Sequence, residues 1–136
     1  ELLKSYLLNT CNSLIYTTML PHPLLISIKE AYHMLPQSGK ERNLLHQLIA
    51  FFKTRGGSLN GSLLPSNSPI QSLLLPEKKT ARTLALKIQN DGYDVRPMTY
   101  PAVPKGHERI RICLHAFNTE DEIEGLINAL KRHLWN

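Results

Sequence analysis

The chain has 136 residues, 42% of them apolar and 20% charged, which suits one ordinary globular domain with a core and not a disordered segment. Its net charge of +5 raises the question of nucleic acid, but the basic residues are dispersed among acids and form no stripe with interleaved aromatics, so no nucleic-acid partner is expected. No apolar run approaches the ~20 residues that cross a bilayer, no N-terminal signal pattern is present, and the lone Cys11 and Cys113 read as buried thiols of a reducing, cytoplasmic compartment with no membrane partner.

The chain opens on Glu1-Leu2-Leu3-Lys4-Ser5-Tyr6-Leu7-Leu8, with apolar residues already at helical spacing and no capping residue ahead of them. A helix with four uncapped N–H groups is an odd natural beginning. The chain therefore reads as a fragment of a longer protein, with residues 1–12 the end of a helix leading in from the absent part. Leu14 to Thr18, β-branched and aromatic, predicts a short extended segment. Pro23 suits the first turn of a helix whose apolar face is Leu24, Leu25, Ile28, Ala31, Tyr32 and Leu35, broken by Pro36 to Gly39. The next helix runs from about Glu41 to Thr54 on Leu44, Leu45, Leu48, Phe51 and Phe52, and Gly56-Gly57 stops it. Residues 58–68, rich in Ser, Asn, Gly and Pro, read as a loop. Pro69 to Leu75 reads as an apolar run suited to a strand buried on both faces.

The last third alternates helix and strand. Lys78 to Asn90 places Ala81, Leu84, Ala85 and Ile88 on one stripe, with Gly92 as a left-handed residue after its end. Tyr93 to Thr99 predicts a strand, edge-like because of Pro97. Arg109 to Phe117 is the next strand. The loop between them is too short for a parallel crossover, so the pair should be antiparallel. Thr119 with Glu122 forms a capping box, followed by Ile123, Leu126, Ile127, Leu130 and Leu134 on one helix face. The expected architecture is α+β: a small antiparallel sheet of about three strands with helices packed on one side.

The loop Tyr100-Pro101-Ala102-Val103-Pro104-Lys105-Gly106 is stiffened by its prolines and feeds straight into the last strand. Alternation there puts Ile110, Ile112, Leu114 and Ala116 on one face. Arg109, Arg111, Cys113, His115 and Phe117 fall on the other. A mid-strand arginine in that setting is a wall of an anion site or, alternatively, a solvated residue on a half-exposed strand. The six histidines show neither HxH nor HExxH spacing, so no metal site is expected. His115, on the arginine face, reads as a packed or solvated residue.

Three blocks together carry a resemblance. The run from Pro101 through Val103-Pro104, Gly106 and Arg109-Ile110-Arg111 to Asn118-Thr119-Glu120 resembles the C-terminal signature of the α-oxoamine synthases, pyridoxal-phosphate enzymes that condense an amino acid with an acyl thioester. Leu14-Ile15-Tyr16-Thr17-Thr18-Met19-Leu20-Pro21 and Ser66-Asn67-Ser68-Pro69-Ile70-Gln71 are similar to two further family segments, in family order. The resemblance implies the small C-terminal domain of a fold-type I pyridoxal-phosphate enzyme. It implies amino-acid and acyl-thioester substrates, and a homodimer.

On the same grounds Arg111 matches the arginine that binds the amino-acid carboxylate, and a planar guanidinium suits that task. Arg109 reads as half of a structural ion pair. Thr18 and Thr17 match hydroxyls that reach the cofactor phosphate of the neighbouring subunit, although each is also an ordinary strand-forming threonine. None of the nine lysines stands in the family's Schiff-base setting, so no catalytic residue is expected in this chain and pyridoxal 5'-phosphate would be bound mainly elsewhere. Ala102 and His22 replace a family threonine and proline. Glu108 to His115 looks most like the members that join L-alanine to a pimeloyl thioester in biotin synthesis. Val103-Pro104-Lys105-Gly106 also suits those that make 2-amino-3-ketobutyrate. A non-catalytic α+β interaction module is the alternative from another class.

Overall fold

The computed structural model describes residues 1–57, 59, 63–75 and 78–134, with the side chains of Leu14, Lys78, Lys79 and Thr80 left aside. Two compact units emerge, Glu1–Gly39 and Lys40–Asn136, where composition had suggested one domain. The first holds α1 (Leu2–Thr10), α2 (Asn12–Ile15), α3 (His22–Met34) and a 3-10 turn (Leu35–Gln37). As its sequence implied, α1 has no side-chain cap at Glu1. Pro23 lies in the first turn of α3, where its missing N–H costs nothing.

The predicted extended segment at Leu14 to Thr18 is not extended. Backbone bonds from Ile15 to Cys11 (2.9 Å) and from Tyr16 to Asn12 (3.2 Å) close a helical turn, and Thr17 donates its hydroxyl back to the Ser13 carbonyl. β-propensity is a preference for a half-buried pleated surface, and the described residues of this unit form no strand to provide one. None of the described residues of this unit is buried; the apolar side chains of α1 and α3 lie exposed, including Leu2, Leu3, Leu24 and Tyr32.

The second unit is built on a three-stranded antiparallel sheet in the order β1-β3-β2, with β1 at Ile70–Leu74, β2 at Arg96–Met98 and β3 at Arg109–Cys113. Helices α4 (Gly39–Gly56), α5 (Lys78–Asn90) and α6 (Glu120–Leu134) share one core with a single face of that sheet. Alternation explains the choice of face. Leu73 on β1 and Ile110 and Ile112 on β3 are buried, and Phe52 of α4, Ile88 of α5 and Ile127 of α6 pack into the same core. β1 is therefore buried on one face, not on both: Gln71 and Leu73 point to the core, whereas Ile70 is exposed and Ser72 and Leu74 are half-buried. The loop at 58–68 is more ordered than its composition predicts where it is described. Leu63 bridges to Leu73, and Leu64 donates to the Ser72 carbonyl at 2.8 Å. Residues 58 and 60–62 of that loop lie outside the described residues.

The turns follow their sequence signals. After α5, Gly92 adopts φ +95°, its N–H bonds to the Gln89 carbonyl (2.9 Å) and the Tyr93 N–H reaches Ile88 (3.2 Å), the paired bonds of a Schellman motif. Pro97 sits in β2, an edge strand, where its lack of an N–H is tolerated. The loop into β3 is pinned by buried Val103 and by the buried Glu108 carboxylate, which accepts the Gly106 N–H at 2.9 Å; Gly106 takes φ +80°. β3 stops at Cys113, four residues short of the predicted Phe117. There the chain turns: Asn118 accepts the His115 N–H at 2.8 Å and leads into the capping box of α6.

That box is reciprocal. Thr119 Oγ1 accepts the Glu122 N–H (3.2 Å), and the Glu122 carboxylate accepts the Thr119 N–H (3.0 Å) and the Asn118 side-chain N–H (3.3 Å). The Thr119 bond, then the Asn118 bond, holds the Glu122 pKa below its ordinary value. A lowered folded pKa means the stabilisation is complete above the unfolded carboxyl pKa and disappears as pH falls through the folded one. Acid unfolding of the wild-type chain should show this loss below neutral pH, and Glu122→Gln should flatten it; an unchanged acid limb in the variant would contradict the assignment.

Gly125 in α6 lies beneath Tyr93: a methyl group there would overlap the Tyr93 hydroxyl and come within 3.3 Å of Cζ. Overpacking typically costs about 1–3 kcal/mol, against about 1 kcal/mol gained by replacing glycine in a helix. Gly125→Ala should therefore destabilise the chain in urea unfolding, and the same change in a Tyr93→Phe background should be neutral or stabilising.

Candidate functional site

β3 is flanked on both sides, and Arg111 stands at its centre. Its register partners are Ser72 on β1 and Arg96 on β2, so these three side chains share the face of the sheet turned away from α4, α5 and α6. Arg111 is half-buried. Its Nε is fully buried and meets no hydrogen-bond acceptor. An unpaired buried donor costs about 1–3 kcal/mol, more when charged, so this atom is poised to gain from any acceptor that reaches it.

Arg111 lines a cleft of about 810 Å³ beside the start of β2, closed by the α5–β2 turn, the β3–α6 turn and the first turn of α6. The electrostatics of this cleft are resolved acid by acid. Asp91 bonds to His133 Nε2 at 2.8 Å and lies 3.7 Å from Arg132. Asp94 pairs with Arg96, at 3.1 Å to Nε and 3.3 Å to Nη2. Glu122 serves the α6 cap. Every acid lining the cleft thus has a partner, and Arg111 has none among the described residues. Such a cation can take a carboxylate in a two-point fork, a geometry lysine cannot reproduce.

The other sequence-predicted residues fall differently. Arg109 has no ion-pair partner among the described residues: its Nε donates to the His107 carbonyl at 3.1 Å, within its own loop, and the neighbouring strands present no acid at its register positions Leu74 and Met98. Cys113 is exposed, not a buried thiol, since it falls on the uncovered face of β3; Cys11 is half-buried. His115 lies past the end of the strand and stacks on Phe117 with ring centroids 4.8 Å apart at the rim of the cleft.

Thr17 and Thr18 belong to the first unit. Thr17 spends its donor on the Ser13 carbonyl, whereas Thr18 is exposed with its hydroxyl free of partners among the described residues. Sequence reading passed over Arg96 and Asp94. The signal was there: Val95 had to face the core, which puts the residues on either side of it outward.

Among the described residues no helix is long and apolar enough to cross a membrane. Residues 2–130 match the family model of the class I and II aminotransferases. The 8-amino-7-oxononanoate synthase of Emericella nidulans is 43% identical over 137 residues, covering 93% of this chain and 32% of the relative. That of Saccharophagus degradans is 34% identical, covering 96% and 33%. The chain thus spans about a third of the length of the curated relatives it matches. Among solved structures, 8-amino-7-oxononanoate synthase from Francisella tularensis superposes with a TM-score of 0.82 at 26% identity, over 99% of this chain and 39% of that one. Serine palmitoyltransferase from Sphingomonas wittichii gives 0.83 at 19% identity, over 96% and 33%, a likeness of fold alone. The small antiparallel sheet with its one-sided helices is the fold these enzymes share with this chain, and with a match running through nearly all of its residues, the chain belongs to the class I and II aminotransferase family.

Proposed function

We propose that this chain is the C-terminal small domain of a pyridoxal-phosphate-dependent α-oxoamine synthase, of the 8-amino-7-oxononanoate synthase kind, and that Arg111 binds the carboxylate of its amino-acid substrate. The observation that carries the reading is the Arg111 guanidinium, its buried Nε without a partner among the described residues, in a cleft whose every acid is already engaged, in a chain 43% identical to such a synthase. The reaction would join L-alanine to a pimeloyl thioester with loss of carbon dioxide, a step of biotin synthesis in the cytoplasm. The alternative of 2-amino-3-ketobutyrate formation would use the same arginine.

The cofactor would supply the electron sink for chemistry at the amino-acid α-carbon. This chain's part is positional. Arg111, anchored in a strand hydrogen-bonded on both sides, fixes the carboxylate by a two-point contact and so orients the bond to be broken. Rigid placement matters because a shift of about 1 Å in a reacting group can cost about 100-fold in rate. Thr18 would donate its hydroxyl to the cofactor phosphate of the neighbouring subunit in a homodimer, with Thr17 able to join it only by releasing the Ser13 carbonyl. The lysine that holds the cofactor would come from the remainder of the enzyme, into which residues 1–12 would lead.

In the complete enzyme Arg111→Lys should raise the amino-acid KM and lower kcat/KM by about 10- to 100-fold, while the thioester KM moves much less. Equal damage to both substrates would make Arg111 a structural residue. Thr18→Val, which keeps shape but deletes the donor, should weaken cofactor retention on dialysis at unchanged thermal stability. Retained cofactor with a lowered melting temperature would place Thr18 among packing residues.

A further inference from the structure

We infer that Asp94 is a specificity-determining positioning residue: by holding Arg96 it leaves Arg111 as the one unpartnered arginine of the cleft among the described residues, so that the site takes a single carboxylate. The inference rests on the carboxylate-binding reading of Arg111 and goes beyond it to the charge of the ligand.

The register of β2 on β3 sets Arg96 directly opposite Arg111, on the same uncovered face, and both line the one cleft. Like charges directly opposite each other in an antiparallel pair repel, so this juxtaposition needs a compensating group or an anion. Asp94 provides it. Its two oxygens meet Arg96 at Nε (3.1 Å) and Nη2 (3.3 Å), a fork that matches the whole charge of that guanidinium. The geometry is local and pre-set: Val95, buried at 1% exposure, pins the backbone between the two, and the Gly92 turn fixes the approach to β2. Asp94 and Arg96 therefore emerge together on the outer side. Of the two arginines facing the cleft, one is neutralised and one is not.

A ligand with one carboxylate and an uncharged remainder meets this arrangement with nothing left over. A dicarboxylate would present a second negative charge to Arg96, but would have to displace Asp94 to reach it. Both side chains of the Asp94–Arg96 pair are largely exposed, so the pair adds little to stability and can be removed without endangering the fold.

The test uses the complete enzyme and compares butyrate with succinate, matched in length and differing by one carboxylate, as inhibitors competing with the amino-acid substrate. In the wild type succinate should bind no better than butyrate. Asp94→Asn should tighten succinate about tenfold, with butyrate little changed, because Arg96 is released to a second carboxylate. The double variant Asp94→Asn/Arg96→Gln should return the ratio to the wild-type value, and Arg96→Gln alone should leave it unaltered. An Asp94→Asn enzyme with the wild-type ratio, or a ratio still raised in the double variant, overturns the inference. Failure of the underlying reading has a different signature: butyrate inhibition untouched by Arg111→Lys.

Discussion

The alternation of β3 is fixed on both edges, and the candidate site follows from that constraint. Hydrogen-bonded to β1 on one side and β2 on the other, the strand cannot slip by one residue without exchanging its faces. A slip would bring Ile110 and Ile112, now 0% and 2% exposed, out of the core and drive Arg109 and Arg111 in. Burying each isoleucine contributes about 1.5–3 kcal/mol, while leaving the Arg111 Nε unpaired costs about 1–3 kcal/mol. The hydrophobic contribution of two isoleucines exceeds the penalty of one orphan donor. The core therefore holds an unsatisfied cation in place, and a ligand can be the group that satisfies it.

The surroundings of that cation are as informative as the cation itself. In this cleft Asp91, Asp94 and Glu122 each have a structural task, respectively the α6 C-terminal turn, Arg96 and the α6 cap. The charge of each acid is thereby taken up by its own partner and not by Arg111. Local hydrogen bonds made for structural reasons thus keep the site open. The first unit presents the contrasting case, a set of helices whose apolar side chains lie exposed and of whose described residues none is buried.

Much of the second unit was legible because its signals are local and agree with one another. The capping box at Thr119 and Glu122, the glycine after α5 and the period-2 pattern of Arg109 to Cys113 each specify a geometry without help from distant residues. The antiparallel pairing of β2 with β3 was readable from loop length alone. What failed was whatever depended on neighbours. Leu14 to Thr18 has strand-forming residues, but the described residues of its own unit form no strand, so local helical bonds won. The partner of Arg109 and the exposure of Cys113 hinge on which face of the sheet the helices leave bare, which no single segment encodes. Arg111 was identified from a motif; the unpaired state of its Nε, and the Asp94–Arg96 pair beside it, needed three strands in register.

The central claim is that a carboxylate ligand completes the Arg111 guanidinium. Its most direct test is the ¹⁵N–¹H resonance of the Arg111 Nε in the complete enzyme, assigned through its disappearance in Arg111→Lys and followed while L-alanine is added. A saturable downfield shift of that proton, absent for every other arginine of this chain, is the result the account predicts. An Arg111 signal unmoved at saturating amino acid would contradict it.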